Sequence, residues 1–342
     1  MSEERRLGPM LLALPGLLLV ALAAATAAGS VPLPLRGVVL STLAKASLYS
    51  GPAPLEAPLE TILWTVRFPR VLLAALVGGG LAVVGASLQA VFRNPMADTS
   101  LLGVGSGASL GALIAVQLGW ASRVFLALPL AAFLGALVTV LAVYAIAHAG
   151  GRPTLYGLLL TGLAVSALAS AGTSLLLVTT EEFRVKNVLF WLAGGLEGRG
   201  WTHVQLASVL ILLGCALLLL LSRSLDVLSL GEDEAGSLGL PVHATRLLIL
   251  SVSSLVAGAA TATAGSVPFV GLIAPHALRP LVGSLGRHLL PAAFLGGACL
   301  VVIADMVSRT ASGSVDLPLG AITSLVGAPY FLIALRANEG RG

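Results

Sequence analysis

Charge is scarce in this chain: only 10% of its 342 residues are Asp, Glu, Lys or Arg, against 57% hydrophobic ones. Lysine is almost missing. Lys45 and Lys186 are the only two, and neither ends a glycine-rich loop, so the Gly-Lys-Ser/Thr signature that cradles nucleotide phosphates is absent. Whatever work the chain does, the energy must come from outside it. Cysteine is nearly as rare. Cys215 and Cys299 each sit inside an apolar run with no second Cys or His at ligand spacing, which excludes a disulfide framework and a zinc site and leaves them as packing residues.

Apolar runs, by contrast, recur from one end to the other, and mean hydropathy is +1.00. A bilayer core about 30 Å thick takes roughly 20 apolar residues per helix, and offers no water to a broken backbone. The fold class expected is therefore an all-α integral membrane protein, one membrane domain over residues 1–342. The runs place ten helices near 7–28, 62–92, 101–119, 124–149, 155–179, 202–221, 244–266, 268–282, 289–309 and 319–336. The first follows "SEERR" and is too long for a signal-peptide core, so it reads as a retained helix. The 40 glycines fit the same environment. Helices in lipid gain little from the hydrophobic effect and pack through small residues, as Gly78, Gly79, Gly80 and Gly85 in "LVGGGLAVVGASLQ" would allow.

Two runs depart from simple spans. Residues 101–119 are rich in Gly and Ser, and 268–282 hold Pro268, Pro275 and Pro280, which remove backbone donors and break helices. Broken helices at membrane depth line cavities or lie within protein, so both are candidates for pathway structure, with kinked packing as the alternative. Residues 29–61, with five prolines, read as a long polar loop, and 181–201 as a short surface helix flanked by Trp191 and Trp201.

The few charges are therefore informative. With the N-terminus in the cytoplasm, about ten basic residues fall inside and about nine outside, so the positive-inside rule does not fix the orientation. Arg67 and Arg70 in "VRFPR" and Arg309 in "DMVSRT" fall at one mouth. Three guanidiniums on one face can receive carboxylates of a partner, or snorkel to lipid headgroups. Asp305 is the one acid well inside an apolar run. An intramembrane carboxylate is a functional candidate such as a proton relay, but Arg309 lies one turn away and makes an internal pair the simpler account. His148, His203, His243, His276 and His288 fall near run ends or in connections, without a metal-ligand setting. For His276, a hydrogen-bonded helix end competes with a contact to a haem cargo.

The remaining polar island is "SLGEDEAGSLGLP", residues 229–241, on the side assigned to the cytoplasm. Glu232, Asp233 and Glu234 followed by Ala235 can start a short helix with acids at its positive end, closed by Gly236 or Gly239. Such a helix could be a lever for a soluble partner; a solvated loop is the alternative. An ion-gradient carrier remains a rival, although it would place several ionisable groups near the midplane, and little beyond Asp305 is found. An intramembrane enzyme would need a nucleophile or metal constellation, and none is visible.

Several long segments, in order, carry a resemblance: "RFPRVLLAALVGGGLAVVGASLQAVFRNPMADTSLLGVGSGASLGA", "LSLGEDEAGSLGLPV", "GSVPFVGLIAPHALRPLVGSLGRHLLP", "ADMVSRT" and "DLPLGAITSLVGAPYFLIAL". Over nearly its whole length the chain resembles the permease subunits of type II ABC importers for iron siderophores, haem and cobalamin, the FecCD family. The resemblance implies a ten-helix subunit of the cytoplasmic membrane of a bacterium or archaeon. It implies pairing with a second permease subunit, identical or a sister chain, with two cytoplasmic ATPases and with an extracytoplasmic binding protein; nucleic acid is not an expected partner. ATP and Mg would be used by the ATPase, no cofactor being bound by this chain, and the cargo would be a metal chelate, an iron siderophore or haem with cobalamin close behind. Residues 226–243 are similar to the family's coupling helices, with Glu232, Asp233, Glu234, Ala235, Gly236, Leu238 and Gly239 at the ATPase contact. Arg67, Arg70 and Arg309 match positions that receive acids of the binding protein. "GGRPTLYGLLLTG" resembles the cytoplasmic gate, where Leu155 and Tyr156 replace the small hydroxyl residues of some relatives.

Overall fold

Satisfying every backbone group within its own segment leaves the apolar runs one option, and the computed structural model of the chain is helical along most of its length. It describes residues 2–124, 126–149, 155–180, 188–311 and 316–339. The elements are α1 (Ser2–Ala27), α2 (Leu35–Lys45), α3 (Ala57–Ile62), a π-helical turn (Leu63–Arg67), α4 (Phe68–Val91), a 3-10 turn (Thr99–Leu102), α5 (Val104–Gln117), α6 (Trp120–Arg123), α7 (Ala127–Ala149) and α8 (Leu155–Val178). The second half holds α9 (Trp201–Leu220), α10 (Ser222–Leu230), α11 (Glu232–Ser237), α12 (Val242–Ala264), α13 (Val270–Val282), α14 (Gly286–Thr310) and α15 (Leu319–Glu339). Among the described residues six stretches are long and apolar enough to cross a membrane, and four shorter apolar helices accompany them, giving the ten expected.

The hub is α4, which packs against α9, α12, α13 and α14. Its "GGG" explains how one helix serves so many neighbours. Successive helical residues point about 100° apart, so Gly78, Gly79 and Gly80 admit different partners. A Cβ on Gly78 would strike the Gly297 carbonyl of α14, one on Gly79 would strike the Phe294 ring, and one on Gly80 would press on Ile211 of α9 and Val256 of α12. One and a half turns on, Gly85 lets α4 lie against the Gly271 backbone of α13. A second seam of the same kind joins the short α5 to α7, where Gly107 and Gly135 each face the other's carbonyl.

Two expectations are corrected. Residues 29–61 are not a plain loop: α2 and α3 fold over the mouth of the bundle, with Leu33, Val38, Leu55 and Leu63 as a small core of their own. The prolines do not break α13, which runs through Pro275 and Pro280. Pro275 has no N–H for the Gly271 carbonyl four residues back. The Gln89 side chain of α4 donates to that carbonyl instead, at 3.3 Å, and Gln89 accepts from Arg279 at 2.7 Å. The helix survives because a neighbour supplies the missing donor. It also follows that His276 is mid-helix rather than at a helix end, its ring edge-on to Tyr330 of α15 at 5.9 Å.

Replacing Gly297 by Val places a side chain against the Gly78 carbonyl and is expected to cost about 1–3 kcal/mol or more by overpacking. Gly105→Ala, at a position with nothing within 4 Å of the added carbon, should be neutral or slightly stabilising. Thermal unfolding of the two purified variants in detergent checks the contrast; equal melting temperatures would remove the seam from the fold's essential contacts.

Candidate functional site

The charged groups that the sequence singles out gather at the two ends of the α4–α14 pair. At the end that carries Arg67, Arg70 and Arg309 the chain widens into the π-helical turn just before Pro69. Proline there would collide with the carbonyl four residues earlier, and the wider turn, closed by Phe68 N–H to the Leu63 carbonyl, accommodates it. Trp64 and Phe68 stack at 4.6 Å. Trp64 donates to Ser41 of α2 at 3.1 Å, its carbonyl accepts from Trp201 of α9 at 2.7 Å, and the Lys45 ammonium lies 5.5 Å over its ring. These contacts fix the direction in which Arg67 and Arg70 leave the helix.

Arg67, Arg70 and Arg309 do converge, but they face inward. All three are buried. Arg70 places Nε and one terminal nitrogen on Asp305 Oδ1, both at 2.9 Å, and its other terminal nitrogen on Asp316 Oδ2 at 2.6 Å. Arg309 places Nε on Asp305 Oδ2 at 2.9 Å and donates to the carbonyls of Ala25 and Ala28 at 2.8 and 2.9 Å. Arg67 donates to the carbonyls of Ala28 and Val31. The pair of Asp305 with Arg309 is thus present and enlarged. Asp305 is 1% exposed with both oxygens occupied by guanidiniums, which leaves no lone carboxylate for a proton relay. The last carbonyls of α1, orphaned where the helix stops, are closed by the two outer arginines.

At the opposite end, α10 and α11 form an elbow. Gly231, at φ +138°, takes the backbone where other residues rarely go. Gly239, at φ +83°, closes α11: its N–H bonds the Gly236 carbonyl at 2.9 Å and Leu240 N–H bonds the Ala235 carbonyl at 3.0 Å, the paired bonds of a Schellman ending. Ala235 is the buried foot of this short helix. Glu232, Asp233, Glu234, Gly236 and Leu238 are exposed, Leu238 at 67%. Two tethers hold the elbow to the bundle. Glu232 pairs with the buried Arg246 of α12, and Asp226 of α10 accepts the first N–H of α14, from Gly286, at 2.7 Å. The helix that carries Asp305 and Arg309 at one end is therefore gripped at the other by α10.

Leu155 and Tyr156 open α8, but their side chains lie outside the described residues, as does the connection 150–154. Sequence reasoning missed Asp316, Gln89, Asp226 and Arg246. The partners of Arg70 are 235 and 246 residues away, and no local pattern announces such a pair. Among the described residues no three His, Cys, Asp or Glu side chains gather as metal ligands.

Comparison with known proteins gives this arrangement a context. A cobalamin import system permease protein of Halobacterium salinarum is 42% identical over 295 residues, 86% of this chain and 79% of that protein. A hemin transport system permease protein of Yersinia pestis is 40% identical, covering 81% of this chain and 84% of that one. A solved structure of an inward-facing metal-chelate type ABC transporter superposes with a TM-score of 0.85 at 31% identity, over 96% of this chain and 99% of that one. Residues 17–337 match the FecCD transport family, and with these relatives and a glycine-seated hub among its apolar helices, the chain belongs to that family.

Proposed function

We propose that the chain is the permease of an ATP-driven importer that carries a metal chelate across the cytoplasmic membrane by alternating access. It works beside a second permease subunit, two cytoplasmic ATPase subunits that use ATP and Mg, and an extracytoplasmic binding protein. The observation that carries this reading is the exposed acidic helix α11 on a chain that has no phosphate-binding loop. A transport machine without an engine needs a surface on which an engine can act, and α11 presents acids and a bare Leu238 on a rigid, tethered elbow. Names of relatives give the cargo class: cobalamin and hemin are both chelated metals. The cytoplasmic gate is proposed at Leu155 and Tyr156, and the binding protein is proposed to dock at the outer mouth around Arg67, Arg70 and Arg309.

The overall reading is tested by co-reconstituting the chain with its ATPase in vesicles loaded with ATP, and following uptake of radiolabelled cobalamin, hemin or a ferric siderophore. Uptake driven by an ion gradient without the ATPase would sink it in favour of a secondary carrier.

Asp233→Lys and Leu238→Asp are each expected to weaken ATPase retention about tenfold, roughly 1.4 kcal/mol, with thermal stability unchanged. Glu232→Lys should weaken retention and also lower thermal stability, because it strips the buried Arg246 of its partner. Full retention of the ATPase by the Asp233 and Leu238 variants would remove α11 from the contact.

At the outer face, Arg70→Glu should lower affinity for the binding protein by tenfold or more, and wild-type affinity should fall as salt screens the pairing. Titration of the complex in nanodiscs at low and high salt gives both numbers. An affinity indifferent to Arg70 and to salt would move docking elsewhere.

A further inference from the structure

Docking at the outer mouth, as proposed above, meets an obstacle in the geometry: the guanidiniums are already engaged. Arg67 and Arg309 are held by carbonyls at the end of α1 and just beyond it: Arg309 by Ala25, Arg67 by Val31, and both by the Ala28 carbonyl that they share. Pulling Arg309 outward would strand the buried Ala25 carbonyl, and pulling Arg67 outward would give up its two carbonyl bonds. Arg70 is held on one side by Asp305, which is fixed on α14 and 1% exposed. That contact cannot open to a partner either.

The fourth contact differs. Asp316 is 28% exposed and lies on non-helical backbone three residues before α15. Among the described residues it is the one carboxylate of the cluster that water reaches. It holds a single terminal nitrogen of Arg70, at 2.6 Å. Three guanidiniums against two carboxylates leave the cluster one positive charge in excess; removing Asp316 from it raises the excess to two.

We propose that Asp316 is a resident occupant of the seat that the binding protein uses: on docking, an Asp or Glu side chain of that protein displaces Asp316 from Arg70. The exchange conserves charge in the buried cluster, leaves Asp305, Arg67 and Arg309 undisturbed, and needs no helix to unwind. It also frees a residue that leads into α15. Leu317 stays paired with Ser308 in both directions, and the next backbone donors, Leu319 and Gly320, bond the carbonyls of Gly194 and Ala193. Release of Asp316 therefore loosens the link, the one seen among the described residues, between Arg70 of α4 and the start of α15.

The test is the affinity of the importer's own binding protein for the assembled transporter in nanodiscs, measured by interferometry at low salt. Neutralising Asp316, as Asp316→Asn and separately as Asp316→Ser, removes the internal competitor and should tighten binding at least fivefold. Asp316→Glu, which restores a competitor, should stay within twofold of wild type. Glu197→Gln, an equal charge change at an exposed acid outside the cluster, three residues after the Gly194 that bonds Leu319, should also stay within twofold. Unchanged or weaker binding by both neutral variants, with wild type binding normally, would overturn the exchange and leave the docking reading intact. An equal gain from Glu197→Gln would overturn it in favour of bulk charge. If the wild-type transporter does not bind the protein at all, the docking reading falls and the exchange falls with it.

Discussion

Everything in this molecule leans on the approach of two backbones, at Gly78 of α4 and Gly297 of α14. In water, burial of apolar side chains would pull such helices together. In lipid that force is missing, and association relies on van der Waals contact and hydrogen bonds between surfaces that fit. Removing the side chains at the crossing brings the helix axes close enough for both their ends to meet. Arg70 reaches Asp305 because the seam is tight, and Gln89 reaches the Gly271 carbonyl because Gly85 allows the same intimacy on the other flank.

The ion cluster is a dependent feature with its own energetics. A charge taken out of water costs several kcal/mol, and its partners must return that amount through good geometry and full hydrogen bonding. Here each guanidinium is met by carboxylate or carbonyl oxygens, so the cluster specifies how α1, α4 and α14 meet more than it adds stability. Truncating one member leaves an uncompensated buried charge, a loss of about 3–5 kcal/mol. A cluster of this kind tolerates exchange of like for like far better than deletion.

The helix count, the short inlaid helices, the acidic helix with its glycine stop and the Asp305–Arg309 pair were legible in the sequence because each is a local pattern: run length, Gly and Pro content, dipole-matched acids, a spacing of four. What was not legible is set by tertiary partners. Nothing around Pro275 says that Gln89, 186 positions earlier, will satisfy the carbonyl it frees, so a continuous helix looked broken. Nothing around Arg70 says that its carboxylates sit beyond residue 300, so inward arginines looked outward. The two small helices over the mouth escaped notice because short amphipathic segments among prolines resemble loops until a floor such as Leu63 is in place.

The capping of α1 has a consequence for how the chain is made. The Ala25 carbonyl emerges from the ribosome early, while the Arg309 that closes it follows 284 residues later; the Ala28 carbonyl has a nearer donor as well, Arg67. Until then that end of the first helix lacks one of its two guanidinium donors. Full capping of the first helix therefore waits for α14, and a chain cut before that helix would leave the Ala25 carbonyl without the donor that closes it.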